Sequence, residues 1–595
     1  MKNTIIVTFL LCLTSSIFAF STAYFEAENF ASQTGGNKAS TEYFPYIGEG
    51  YLEMGGQGAA VTWNNITVPK ADKYTLIFKY ANHTKQDRPC DLKVNGSLIR
   101  NIAFAPSPKN WEKPWEDAAG YTSEAVGWAK YWNARVIVDL KAGVNTIELT
   151  ATSAEGGPHI DNIAVSTVIS EPPAPVVNVK DHGAVGDGST DNTEAIANAI
   201  AACPPGGSVV FDEGIYMTGS IALKANMTLW ISENAVVRAI QDISKIKLFS
   251  NGGLFKRYFV FGNEVDNLTI TGGGAIDGNI VGGYGGGSMN NRLVVLGWNN
   301  AKNVMVTNID VLHSDFWTFV PQNTDGIIID GVNLFSFRKD GIAPLDCHDT
   351  TITNTVIECA DDAITPKSYN SRGIDNLVVK NVTINFTKWK GIKFGFSSVG
   401  DFTNCLFEDI AMVHVQAGIT VLLIDGSNAS NLTFNRINMN HVFTPITLLN
   451  GAGLRGIKQG KPTSMKDITI SNLDVRNVWS PQGSFIIGTK FGNNITTVEN
   501  IYLTNVKVNS FKGGVTEVPG TPIEYDGQRA DVRLFGNLPA WGYYIRHAKN
   551  VIFTNVTHTV SPEDARQDIV LEDVTGFKTV GPGNPLPFKT KRSGG

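Results

Sequence analysis

A short unit recurs along the second part of the chain: an Asn or Asp, then alternating β-branched residues, then a turn. It reads NLTITGG at 267, NVMVTNIDV at 303, DTTITNTVI at 349, NLVVKNVTI at 376, NLTFNRINM at 431, DITISNLDV at 467, NIYLTNVKV at 500 and NVIFTNVTH at 550. Between 303 and 431 the units start 22 to 30 residues apart, counting weaker ones at Asp325 and Asp401. Strands at that period, with almost no helical stretch between them, predict a right-handed parallel β-helix over 178–580. Each coil stacks on the last at about 4.8 Å, with its alternating Val, Ile and Leu facing inward. Amphipathic helix patterns are missing after Ala202, which argues against a (β/α) barrel, and a propeller blade needs about 40–50 residues.

The fold expected for the whole chain is all-β, because residues 20–168 read differently but are also strand-rich. AAVTWNNITV, KYTLIFKYA, ARVIVDLKAG and VNTIELTAT alternate with period two between Gly, Asn and Asp turns. That pattern predicts antiparallel strands with one buried face, hence a jelly-roll β-sandwich. The linker is 169–177, where Ser170-Glu171-Pro172-Pro173-Ala174-Pro175 is semi-rigid. After it, Thr190 or Asp191 is expected to cap a helix over Glu194–Ala202, ended by Pro204-Pro205-Gly206-Gly207. Residues 581–595 form a tail.

Lys2, the apolar run Ile5–Leu13 and the small Ala19 read as a secretory signal peptide over 1–19. The apolar run is short for a membrane span. A secreted, extracellular, monomeric protein with no membrane partner is expected. The net charge of -6 argues against a nucleic-acid binder, so attraction for an acidic substrate must come from a local basic patch. Cys12 leaves with the signal, and Cys90, Cys203, Cys347, Cys359 and Cys405 are odd in number and scattered. They form no disulfide framework and no zinc pattern.

The stretch RKDGIAPLDCHDTTITNTVIECADDAITPKS, from Arg338 to Ser368, carries Asp340, Asp361 and Asp362. Asp340 and Asp361 are 21 residues apart, close to one coil, so they should lie on neighbouring coils of one wall. Asp361 and Asp362 both reach one site only if they sit at a strand end or turn, since successive strand side chains face opposite ways. Like charges this close raise one another's pKa, leaving at least one acid protonated. Glycoside hydrolysis needs such a pairing of acid and base, with carboxyls about 6.5–9.5 Å apart for inversion. Calcium binding and solvated turns are the other uses of stacked aspartates.

In the sandwich, Glu26 and Glu28 share a strand face, and with Asp161 they would suit calcium. The alternative is a solvated strand end. Trp111, Trp115, Tyr131 and Trp132 lie in an aromatic-rich stretch suited to stacking on a sugar ring, and some of the four are expected to be core instead.

Two resemblances add to these readings. The opening Phe25-Glu26-Ala27-Glu28-Asn29 and closing His159-Ile160-Asp161-Asn162 resemble carbohydrate-binding modules of family 35. That implies a structural calcium at Glu26, Glu28 and Asp161 and a sugar site on the loops. NVKDHGAVGDGSTDNTEAIANAIAAC, the pair KDGI and ECADDAITPKS, and LPAWGYYIRH from 538 resemble glycoside hydrolase family 28, the polygalacturonases and rhamnogalacturonan hydrolases. The resemblance implies a pectin-type polysaccharide as substrate and no cofactor for catalysis. Asp361 would be the general acid, Asp340 and Asp362 would activate water, and the anomeric carbon would invert. Asn323-Thr324-Asp325-Gly326 spells the family's usual motif one coil too early; the position in register is Arg338-Lys339-Asp340-Gly341. The family's Gly-His-Gly aligns with Trp389-Lys390-Gly391 and its Arg-Ile-Lys with Thr420-Val421-Leu422, so its uronate-gripping groups are altered. Lys367, Lys390, Lys393 and Arg546 are the expected replacements.

Overall fold

The computed structural model describes residues 22–107, 130–167, 169–251, 254–279, 292–336, 338–395, 397–454, 463–527, 531–581 and 588–591. The signal-peptide reading, Trp111, Trp115 and most of the tail lie outside them. No helix among the described residues is long and apolar enough to cross a membrane. The chain divides into two units, the first running to Pro173 and the second from Ala174, apart from two short exchanged segments near 332 and 355.

The first unit is two antiparallel sheets. Lys38–Ser40, Tyr51–Glu53, His159–Thr167, Asp72–Ala81 and Trp132–Leu140 form one in that order, with Thr22–Glu26 also on His159–Thr167. Ser32–Thr34, Ala60–Val68, Gly143–Ala151, Cys90–Val94 and Ser97–Ile102 form the other. Period-two alternation gives Ala60–Val68, Cys90–Val94 and Gly143–Ala151 one apolar face, while Asp72–Ala81 and His159–Thr167 are buried on both, and Trp63, Phe78, Leu92, Leu149 and Ile163 meet in a shared core. Tyr131 and Trp132 are buried here, which corrects their reading as sugar-stacking residues.

The second unit is a parallel β-helix. Its 25-stranded sheet climbs from Val176–Asn178 to Phe588–Lys591. The register runs Leu268 to Val304 to Ile327 to Thr350 to Leu377, so inward positions stack on inward positions. A neighbouring column, Ile329, Ile352, Val379, Phe407 and Phe434, includes two rings 5.4 Å apart and 22° from parallel. An α-helix, Thr193–Ala202, follows the first two strands of this sheet, Val176–Asn178 and Asp187–Asp191. Its N-cap is Asn192, one residue beyond the expected Thr190 or Asp191; Asp191 Oδ1 instead accepts from the Thr193 N–H at 3.0 Å.

The Asn that heads each unit has two tasks. At Asn267, Asn303, Asn376, Asn404, Asn431, Asn500 and Asn550 the backbone is left-handed, with φ between 53° and 57°. Asn adopts that conformation more readily than most residues because its short side chain bonds locally. The same side chains form a ladder between coils: Asn303 donates to Asn267 at 3.0 Å, Asn431 to Asn404 and Asn550 to Asn500 at 2.8 Å. Asn381, also left-handed, is almost fully buried, which removes its Asn-Val-Thr sequon from the surface. All five remaining cysteines are buried and free.

Candidate active site

The strand register places the acids. Phe319 bridges Ile342, Ile342 bridges Ile364 and Ile364 bridges Ile392, all parallel. Two residues before each partner come Trp317, Asp340, Asp362 and Lys390, which therefore form one column along the wall. The column continues from Lys390 to Ala417 and Thr444. Asp340 thus stacks on Asp362, a shift of one residue from the expected pairing with Asp361. Asp361 falls in the bend after Val356–Cys359, where its carbonyl accepts from Thr387 Oγ1 and, at 3.3 Å, from Cys359 Sγ. The bend lets both acids of the Asp-Asp pair reach one site.

The three carboxylates offer oxygens that all lie within 4.8 Å of one another. That is closer than the about 6.5–9.5 Å expected for an inverting pair. The proximity is tolerated because each acid has its own ammonium. Lys367 Nζ binds Asp340 Oδ2, Lys393 Nζ stands 2.5 Å from Asp362 Oδ2, and Lys339 Nζ stands 2.7 Å from Asp361 Oδ2. Asp362 Oδ1 also accepts from the Lys390 N–H at 3.3 Å.

The electrostatics differ from acid to acid. Burial, with the Asp361 and Asp362 charges, pushes Asp340 up to about 6 against the pull of Lys367 and Lys393. Burial acts on Asp362 in the same direction, but Lys393, Lys390 and Lys367 outweigh it and hold the carboxyl below its ordinary value. Burial opposes the Lys367 ammonium too, yet Asp340 and its neighbours keep it above the ordinary lysine value. Burial and then the Lys393 charge, only partly offset by Asp362 and Asp531, draw Lys390 down. Asp340 thus lies near neutrality beside a firmly ionised Asp362, which poises it to exchange a proton with water. The lysines already fill the positions from which a cation would neutralise these carboxylates, so the trio does not fit a metal centre.

The expected basic grip on substrate is mostly redirected. Lys367 and Lys393 are buried and bound to Asp340 and Asp362, and Lys367 Nζ also lies 4.3 Å from the centre of the Trp317 ring. Lys390 is buried 3.5 Å from Asp531 Oδ2 and 4.5 Å from the Trp389 ring centre. Arg546 is a correction. The register runs Gly395, Leu422, Leu449, Ile487, Arg546, four rungs beyond the strand of Lys390 and Lys393. At about 4.8 Å per rung that is roughly 19 Å away. Its buried guanidinium donates to the carbonyls of Pro522 at 2.7 Å and Ile523 at 3.0 Å, which makes it a loop clamp. Asp325, in the early Asn-Thr-Asp-Gly, pairs with Arg372 and belongs to another coil.

Lys339 was missed from sequence. The family motif has Thr at its position, and nothing in the strand pattern says that residue 339 meets residue 361. The signal available was the shared spacing of 22 between Lys339 and Asp361 and between Asp340 and Asp362.

In the first unit, Asp161 is fully buried at a register shift between Ile160 and Asn162, and Oδ1 accepts from the Ile47 N–H at 2.9 Å. Burial and the Glu28 charge push its carboxyl up to about 8 against Lys79 and its hydrogen bonds. Glu26 packs against Gly48, where an added Cβ would stand 2.5 Å from its carboxyl carbon. Among the described residues the three acids are not drawn into one group as tight as Asp340, Asp361 and Asp362.

Comparison with known proteins agrees with this geometry. The sequence profile of Glycosyl hydrolases family 28 matches residues 226–521. A probable polygalacturonase of Vitis vinifera is 29% identical over 274 residues, covering 40% of this chain and 55% of its own. An exo-poly-alpha-D-galacturonosidase of Dickeya chrysanthemi is 31% identical over 225 residues, covering 34% of this chain and 36% of its own. The chain therefore spans about half the length of the first and about a third of the second. The solved family 28 exopolygalacturonase of Yersinia enterocolitica has the same fold, with a TM-score of 0.56 at 16% identity over 89% of this chain and 98% of that one. Residues 226–521, which hold the acid cluster, are a domain of glycosyl hydrolases family 28.

Proposed function

We propose that the protein is a secreted, monomeric glycosidase that hydrolyses pectin-type polysaccharide by exo-action on galacturonan or rhamnogalacturonan. One observation carries this reading: three acids from neighbouring coils converge within 4.8 Å, and only Asp361 is partly open, with its side chain 18% exposed against 4% and 3% for Asp340 and Asp362. A group that must touch the bridging oxygen has to be reachable, so Asp361 is assigned the acid. Its proton goes to the leaving oxygen as the carbon–oxygen bond breaks. Water supplies the new bond to the anomeric carbon and gives its proton to Asp340 or Asp362. Both Asp362 oxygens are already hydrogen-bonded, by Lys393 and the Lys390 N–H, which suits orienting water better than forming a bond to carbon. That favours inversion, as the family resemblance implies, despite the short spacing. Exo-action is supported by the names of the Dickeya and Yersinia relatives.

The first unit is assigned to holding the polymer. Glu26, Glu28 and Asp161 offer the hard carboxylate oxygens that calcium takes, one of them fully buried and opposed by the Glu28 charge, and would have to draw closer than they stand to share one ion. Bound there, the ion would supply the charge that offsets burial of Asp161.

The test is purified protein on a panel of galacturonan, rhamnogalacturonan and neutral α-glucans. Expected are new reducing ends from the first two, and an inverted anomeric signal by NMR in the first product. An unsaturated product absorbing in the ultraviolet would make the protein a lyase instead, and release only from α-glucan would move the substrate.

A further inference from the structure

The lysine beside Asp361 differs from those beside the other two acids. The Lys339 side chain is 33% exposed, whereas Lys367, Lys390 and Lys393 are 6%, 5% and 7% exposed. Among these four lysines of the described residues, Lys339 is thus the one that a polysaccharide can reach without unpacking the wall. It stands 2.7 Å from Asp361 Oδ2, so it occupies the flank of the atom assigned to meet the glycosidic oxygen. Its main-chain position is fixed by Ser336 Oγ, which donates to its carbonyl at 3.2 Å, and by Gly341, where a Cβ would meet the Ala363 carbonyl at 2.5 Å. The ammonium itself is on a flexible four-carbon stem and can change partner.

We propose that Lys339 is the specificity-determining contact for the substrate's uronate carboxylate, and that it leaves Asp361 to make it. The inference rests on the hydrolytic reading of this site. A sugar with a carboxylate beside its ring oxygen brings a competing anion to within reach of Lys339. Transfer of the ammonium breaks its 2.7 Å contact with Asp361 Oδ2 and opens that oxygen to the glycosidic bond. A neutral or esterified sugar offers no such anion and leaves the Lys339–Asp361 pair intact. Lys339 would then do by exchange what buried lysines bound to Asp340 and Asp362 cannot.

The test compares galacturonate oligomers with their methyl esters, by turnover and by calorimetric binding, in wild type, Lys339→Met and Lys339→Arg. A charge-assisted contact of this kind is worth about 10- to 100-fold. Expected in Lys339→Met are a KM and Kd for the free acid raised at least about tenfold, ester binding unchanged, and the acid-to-ester ratio of kcat/KM reduced by a similar factor. Lys339→Arg should restore most of the preference. If Lys339→Met leaves both the ratio and the Kd of the free acid unchanged, Lys339 only props Asp361 and the proposal falls. If the acid binds through Lys339 but neither substrate is cleaved, the hydrolytic reading fails while the contact stands. A protein that binds no uronate overturns the contact and the pectin-type substrate with it.

Discussion

Lys393→Met isolates the electrostatic logic of the site, because it removes one ammonium and keeps the length of the stem. Lys393 Nζ is 2.5 Å from Asp362 Oδ2, with side chains 7% and 3% exposed. Removing one partner of a buried pair costs about 3–5 kcal/mol. Asp362 keeps the Lys390 N–H and the Lys390 and Lys367 charges, so the lower end, about 3 kcal/mol, is expected at pH 7. The pH dependence supplies the sharper check. In wild type the Asp362 carboxyl lies below its ordinary value, so its stabilisation is present above the unfolded value and is lost as pH falls through the folded one. In the variant, burial outweighs the remaining charges and the sign reverses: stability is lost as pH rises through the raised folded value. The gap between the two proteins should therefore shrink from about 3 kcal/mol at pH 7 to about 1 kcal/mol near pH 4, the worth of the lost hydrogen bond. Urea midpoints multiplied by m, at both pH values, measure it. A gap that does not change with pH refutes the reasoning. Asp362→Asn combined with Lys393→Met should recover most of the stability without activity.

Asp361→Asn should lower kcat/KM by about 10²–10⁴ while oligosaccharide binding, followed by calorimetry, persists. Because Asp340 must be ionised to accept a proton from water and is pushed up to about 6, kcat/KM should fall below about pH 6. A limb centred near pH 4 in a pH–rate profile would count against Asp340 as a base. Calcium should raise the melting temperature of the full chain, and a chelator should lower it. Since burial and Glu28 push Asp161 up to about 8, calcium binding at pH 7 should release about one proton per ion and strengthen with pH, and Asp161→Asn should abolish both effects.

The coil repeat was legible because its cause is local. Left-handed Asn residues and inward Val, Ile and Leu recur with each turn of the stack, so Asn303, Asn431 and Asn500 announce their rungs in the sequence. The convergence of Asp340, Asp361 and Asp362 followed from that period. The one-residue difference between Asp340 over Asp361 and Asp340 over Asp362 did not, since it depends on the bridges from Ile342 to Ile364 and on the bend at Asp361. Lysine partners were the least legible. Lys367 and Lys393 read as groups waiting for an anion, and only the folded wall shows that the anions are Asp340 and Asp362. Arg546 misled because a motif marks a position along the chain and not a height along the stack. Tyr131 and Trp132 misled because an aromatic in a loop-like stretch and an aromatic in a core have the same composition.

The asparagine ladder has a consequence for how such a chain can vary. Successive rungs at Asp375, Thr403, Ser430, Lys466, Glu499 and Lys549 are separated by unequal lengths of chain, yet they lie in unbroken register. Because head residues lock to those beneath them at several turns, Asn431 on Asn404, Asn500 on Asp467 and Asn550 on Asn500, register is renewed along the stack and is not only carried over from the previous turn. Extra residues in one loop therefore reshape the rim above the acids without displacing any strand further along. Surface contour and internal order are separately adjustable, so grafting a loop between two ladder positions should alter which polymer is admitted while the stack itself persists.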